Sequence, residues 1–386
     1  MNSIKRITAF SVAVLLFAAP GLSAYAEEAK PADTYVVQYS QVEGMVLNDN
    51  LQVANNELAM DILDQEDELK EKYEKISDSI DKTSASLTAI LNSPATSPDL
   101  KIVAQGTNVA LATLSELLNV QEDIDGDTYE LKELQAEFSN QQLVRSAQSM
   151  FSVYYQLKYN IEQLNHTRSV LNDAYQAAQA QYSNQMGTFL AVSDAELAIQ
   201  SFNNSLADLD NQLNSVCQQM NVMLGRSYNA QVIFGKLPAP DLSYVEKIDL
   251  SNDISTAQTA SYKVRIIKKQ RSILNNDTSQ NRKQREIKSN EADLEMENVA
   301  ASLKIQLGKI KQQQAVLSAE QAKAANTKLK MEQGKMKYEL GFLSQMEYNK
   351  LVSDCSAQET TVKTASATLF WQIENYKWIL KGLTVS

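Results

Sequence analysis

A heptad seam constrains this chain more than any other feature. Leu303, Ile310, Leu317, Ala324, Met331 and Tyr338 recur every seven residues, a period that keeps one face of a helix against a partner along its whole length. Beyond Tyr338 the pattern continues. Val362, Ser366, Leu369, Ile373, Tyr376, Leu380 and Leu383 alternate steps of four and three, so the second segment carries a matching seam. The two runs meet at Tyr338-Glu339-Leu340-Gly341-Phe342-Leu343-Ser344. The stretch from Val299 to Leu383 is therefore predicted to be a long antiparallel helical hairpin.

The earlier part of the chain repeats this unit. A helix of about 55 residues is predicted from Thr128 to Gln185, with Leu157, Leu164, Leu171 and Ala178 at heptad spacing. Its length of roughly 80 Å exceeds what a globular domain needs. After Met186-Gly187-Thr188-Phe189-Leu190-Ala191 the chain returns through Ala195, Ile199, Phe202, Leu206, Leu209, Leu213, Val216, Met220 and Met223, and stops at Leu224-Gly225, where glycine is the expected cap. Pairing Phe189 with Phe342 gives an offset of 153 residues, and pairing Gly225 with Gly382 gives 157, a slip of about one helical turn. The pattern is an internal duplication. It predicts an all-α fold of two tandem coiled-coil hairpins, with at most one or two short strands in an equatorial region.

Met1 to Ala26 combines Lys5 and Arg6, the apolar run Ile7 to Ala19 and an Ala24-Tyr25-Ala26 site, which together read as a secretory signal peptide. Residues 27–39 read as a flexible segment. The first repeat is expected over 40–225 with an apex insertion at 83–127, an equatorial linker over 226–254, and the second repeat over 255–386 with an apex turn at 275–290. Within the linker, Gln231 to Phe234 is the one plausible strand. Asp249 to Leu274 reads as one helix. In the insertion, Leu91 to Pro94 and Thr96 to Asp99 read as turn or helix-start punctuation and Val109 to Leu118 as a short apolar helix.

The scarcity of breakers, 11 glycines and 6 prolines in 386 residues, fits long helices. A net charge of -11 argues against nucleic acid as a partner. Cys217 and Cys355 fall roughly 20 Å apart along the bundle, too far to pair, so two free buried thiols are expected. The sequence offers no nucleophile elbow or phosphate-binding loop, and its single histidine, His166, has no His or Cys nearby in sequence. Asp123 to Asp127 lacks the spacing of a calcium loop. No catalytic residue, cofactor or metal is assigned, and an enzyme is not expected.

The duplicated hairpins, the Tyr-x-x-Gly of Tyr338 and Gly341, the aromatic-aliphatic-Ser that follows it and the terminal Leu-Gly or Leu-x-Gly of each repeat resemble the TolC family of outer-membrane efflux proteins. The resemblance covers about Tyr39 to Leu383. It implies a homotrimeric helical barrel in the cell envelope, with helix tips that meet a periplasmic-type adaptor (membrane fusion) protein and an inner-membrane transporter. It also implies two membrane strands at each apex, and there the sequence departs from the family. Asn275 to Asn290 is 16 residues with Arg282, Lys283, Arg285 and Lys288 among them, too short and too charged for two strands of ~9 to 11 residues.

Two surfaces are candidates for function. The tips hold Tyr182, Gly187, Phe189 and Leu190 in the first repeat and Tyr338, Gly341, Phe342, Leu343 and Ser344 in the second; large apolar groups at the free end of a coiled coil imply something that covers them. Gly187 and Gly341 are expected to supply the turn conformations. Lys263 to Lys288 carries a local charge of +7, with Lys268, Lys269, Arg271, Arg282, Lys283, Arg285 and Lys288 at the apex. This reads either as a solvated hairpin apex or as a surface for anionic envelope lipid. A second heptad row on the same helix, Ala315, Ala322, Leu329 and Met336, lets it contact two neighbours and favours a trimer. An exported coiled-coil structural or adhesion protein without transport activity is the competing reading.

Overall fold

The computed structural model describes residues 34–64, 70–92, 98–118, 126–274 and 278–384. The expected signal peptide, most of the flexible 27–39 segment, Asp123 to Asp125 and the apex residues 275–277 lie outside these. Four long helices dominate: α5 (Gly126–Ser183), α6 (Phe189–Met223), α10 (Ser279–Glu339) and α11 (Gln345–Leu380). At 61 residues α10 is roughly 90 Å long. The expected seams are the buried ones. Leu303, Ile310 and Leu317 of α10 pack with Ala365, Leu369, Ile373 and Tyr376 of α11, while Val216, Met220 and Met223 of α6 bury against α5.

The four helices lie side by side in the order α10, α11, α5, α6. Polar contacts stitch the part of the α11–α5 pair toward the tips. His166 Nε2 sits 3.0 Å from Thr360 Oγ1, Asn349 donates to Asp173 at 3.3 Å and Lys363 pairs with Glu162. His166 is thus an interhelical seam residue. Cys217 and Cys355 are free, as expected, but only Cys355 is buried; Cys217 is half-buried.

The upper half continues two of these columns with separate helices. The short helix α1 (Val42–Asp49) leads to α2 (Leu51–Asp64), which starts where α6 ends. Asn50 donates to the Met223 carbonyl at 2.7 Å while its Oδ1 accepts from Gln52 and Val53 N–H groups. The second repeat builds the same joint. α8 (Leu250–Ala260) leads to α9 (Tyr262–Ile273), and Tyr262 N–H donates to the Gly382 carbonyl at 3.2 Å. The single helix expected over Asp249 to Leu274 is therefore two, broken at Ser261. That residue leaves the helical region (φ -54°, ψ 115°) and its hydroxyl caps α9 through Val264 N–H. A break of this kind comes from tertiary stacking on α11, which local propensity does not encode.

Between the halves lies a small equatorial region. β2 (Gln231–Phe234) is where the sequence placed it, and pairs in parallel with β1 (Thr34–Val37) in the register Thr34 to Gln231 through Val37 to Phe234. β1 corrects the expectation that residues up to 39 are flexible: its strand partner is 197 positions away. Around the strands, Tyr39 packs edge-on to Phe151 and Phe370, and Phe234 stacks on Tyr154. The Tyr39 hydroxyl donates toward Gln148 and Glu374, at 3.1 and 3.0 Å.

At the apex of the first repeat the short helix expected over Val109 to Leu118 is the end of a longer one, α4 (Pro98–Leu118), preceded by α3 (Lys70–Asn92), and residues 93–97 of the expected punctuation between them lie outside the described residues. Pro98 opens α4, a first-turn position its fixed φ suits. Ala59, Ile80, Leu87, Val103, Ala104, Leu111 and Ala136 form a second, smaller core beneath them. A helical insert thus occupies the place where the family resemblance implied strands. In the second repeat the equivalent place is the short link between α9 and α10. Among the described residues the two strands are four residues long, about 13 Å each, and no helix is long and apolar enough to cross a membrane.

Candidate docking interface

Both hairpin tips emerge at the same end of the bundle. α5 closes with Met186 N–H donating to Gln181 O at 2.8 Å and Gln185 N–H to Tyr182 O at 3.0 Å; α10 closes with Phe342 N–H to Lys337 O at 2.8 Å and Gly341 N–H to Tyr338 O at 2.9 Å. The two turns are the same turn, a Schellman-type reversal. They superpose Tyr182 on Tyr338, Gln185 on Gly341, Met186 on Phe342 and Thr188 on Ser344, all 156 positions apart. The tip register expected from pairing the phenylalanines is corrected by three residues. The slip to the 157 of Gly225 and Gly382 is then one residue, not a helical turn.

The correction reassigns one glycine. Gly341 takes the left-handed conformation (φ 75°) as expected, but its counterpart is Gln185 (φ 60°), not Gly187. Gly187 relieves crowding instead: a Cβ there would lie 3.0 Å from Gln181 Cβ and 3.1 Å from Tyr182 N. Thr188 and Ser344 start the returning helices, their hydroxyls accepting from Ala191 and Glu347 N–H. Ser344 N–H and Oγ donate in turn to Glu347, which holds that carboxyl below its usual range.

What the tips present is apolar. Phe189, Leu190 and Phe342 are 67, 68 and 78 % exposed. Tyr182 touches Phe189 at a ring separation of 6.0 Å, and Tyr338 stacks on Tyr348 at 5.0 Å. Leu343, like Tyr338, is half-buried, and it turns inward toward Gly334. Met186, Leu340 and Met346 are exposed tip residues outside the expected set; aligning the repeats on Tyr182 and Tyr338 brings out Met186, which falls on Phe342, and Met346, which falls on Leu190.

A second apolar surface runs the length of α10. Ile287, Leu294, Ala301, Gly308, Ala315, Ala322, Leu329 and Met336 fall seven apart and all are exposed. The row lies two residues from the Leu303 seam, about 200° round the helix, so it faces away from α11 and extends for roughly 70 Å. It contains the expected row of Ala315, Ala322, Leu329 and Met336.

The basic apex is partly neutralised from within. Lys269 pairs with Glu130, Lys288 with Glu291 at 2.8 Å and Lys263 with Glu295 at 4.0 Å. Arg285 donates to the carbonyls of Arg271 and Leu274, capping α9. Lys268, Arg271, Arg282 and Lys283 complete the cluster on α9 and the start of α10. Among the described residues no group of His, Cys, Asp or Glu side chains could hold a metal.

Duplicated hairpins laid side by side, with stacked upper helices continuing two of the columns, define a helical-barrel protomer. The sequence matches no family model and no curated protein, so the likeness to known proteins lies in the fold. It matches the transmembrane channel CusC at 14 % identity and a TM-score of 0.51, over 89 % of this chain and 96 % of that one. The outer membrane protein VceC of Vibrio cholerae matches at 11 % identity and 0.49, over 89 % and 96 %. The CmeC outer membrane channel of Campylobacter jejuni matches at 11 % and 0.46, over 89 % and 85 %. The fold is that of TolC-family channels, without spanning strands among the described residues.

Proposed function

We propose that this chain is a non-enzymatic component of cell-envelope efflux or secretion. In this reading three copies close into a TolC-like helical conduit, and the two tips of each copy dock an adaptor protein that links them to an inner-membrane transporter. Residues 1–26 direct export and are removed, and the hairpins of 40–225 and 255–386 form the conduit wall.

The observation that carries the reading is the bare apolar row on α10. An exposed stripe of this length on a lone protomer is a liability, and its helix is one edge of the four-helix array while α6 is the other. Contact of the α10 edge with the α6 edge of the next copy is heterologous and makes a ring when the rotation closes. Multi-angle light scattering of the exported chain tests it: a mass of three protomers is expected, and a monomer at micromolar concentration would remove the conduit. Capture of an adaptor that wild type binds and a Phe342→Asp variant does not bears on the tips.

A further inference from the structure

A cavity of about 730 Å³ lies between α5 and α10, bounded by α4, α9 and α11. That volume is in the range of sites for drug-sized molecules. Its electrostatics are unusual. Arg145 of α5 lines it, with one donor, Nη2, directed to Asn375 Oδ1 at 3.3 Å and a buried Nε that meets no partner. Gln142, nearly one turn earlier on the same face, has a buried Oε1 that is also unpartnered.

A desolvated guanidinium is ordinarily paired, because an uncompensated buried charge is costly. Here no carboxylate meets Arg145 among the described residues. The one acid in the lining, Glu295, faces Lys263 at 4.0 Å, and Lys309 adds a further cation. Burial pushes Arg145 down to about 10, with no neighbouring charge opposing the shift. Beside these groups the lining includes Trp371 and Ile305, so a cationic end and an apolar wall share one space.

We propose that this cavity binds an amphiphilic organic carboxylate, its carboxylate taken by the free donors of Arg145 and its apolar body lying against Trp371 and Ile305. Guanidinium and carboxylate match as a bidentate pair, and a ligand supplies the counter-charge that the fold omits. Arg145, Gln142 and Trp371 of the site lie off the bare α10 row, although Ala301 of its lining belongs to that row.

The test is a calorimetric titration of the purified exported chain with 2-naphthoate, with the neutral 2-naphthamide and with inorganic phosphate. Wild type is expected to bind the acid at least tenfold more tightly than the amide, and phosphate weakly. Arg145→Met removes the preference and, lacking the uncompensated charge, unfolds at a temperature no lower than wild type. Gln142→Glu, nearly isosteric, places a carboxylate beside Arg145 and weakens naphthoate binding at least tenfold while leaving naphthamide unchanged. Equal binding of acid and amide by wild type, or a preference that survives both substitutions, overturns the site. Phosphate binding as tight as naphthoate overturns the amphiphile.

Discussion

Gly225 and Gly382 hold the two joints of the fold by having no side chain. Each has a left-handed φ, 65° and 96°, and a Cβ would come 1.8 Å from Asp49 O at the first and 2.2 Å from Ala260 O at the second. Neither neighbour can swing away, since both are backbone atoms at the entry of a stacked helix. The conformation alone costs an L residue about 1 to 2 kcal/mol, so Gly225→Ala or Gly382→Ala is expected to destabilise by at least ~2 kcal/mol. A urea midpoint unchanged in both variants would show that the joints yield. Buried tyrosines give a second prediction. Burial pushes Tyr35 and Tyr244 up to about 12, and Tyr39, Tyr262 and Tyr376 rise for the same reason, helped by Glu374, Glu137 and Asp253. A raised native pKa means that the unfolded chain loses these protons first. The contribution is complete below pH 10 and is lost as pH climbs through 10 toward 12 and above. Helical circular dichroism should fall over that range together with a late rise in tyrosinate absorbance; tyrosines that all titrate near 10 in a fully helical protein would contradict it.

At the level of helices, two residues of α10 separate the seam from the bare face. Ile310 is fully buried against α11, whereas Leu329 on the opposite row is 58 % exposed. Ile310→Ala should cost the protomer about 2 to 5 kcal/mol, and Leu329→Ala under ~0.5 kcal/mol while weakening self-association. Denaturation of dilute and concentrated samples checks this: a concentration-independent loss for Leu329→Ala equal to that of Ile310→Ala would refute the division. The seams were legible because heptad spacing is local and survives any tertiary context. The other elements resisted for stated physical reasons. β1 is four residues whose partner strand lies across most of the first repeat. The break at Ser261 is imposed by stacking on α11. Pairing the phenylalanines misplaces the tip register, because the left-handed position is Gln185 in one repeat and Gly341 in the other. The cavity around Arg145 had no sequence signal, since Arg145 and Ile305 of its lining are 160 positions apart in the chain.

On the scale of the whole molecule, the two surfaces assigned to assembly and to docking are far apart, which makes the proposed function separable by mutation. Leu294 lies more than 40 residues from the Gly341 turn along α10, over 60 Å of helix. Leu294→Glu places a charge near the apex end of the bare row, where a neighbouring protomer would have to bury it unpaired. It should reduce the trimer to single protomers whose helicity is unchanged. Phe189→Asp combined with Phe342→Asp leaves that row intact, so the trimer should persist while adaptor capture is lost. In the proposed trimer three copies would present six tips at once, so the edge variant should also bind an immobilised adaptor more weakly, through lost multivalency and with intact tips. Capturing Leu294→Glu protomers at high adaptor density should then restore binding, and no density should restore the tip variant. If the edge variant stays trimeric, the α10 row is not the protomer contact. If the tip variant binds like wild type, the exposed aromatic residues serve the hairpin turn alone.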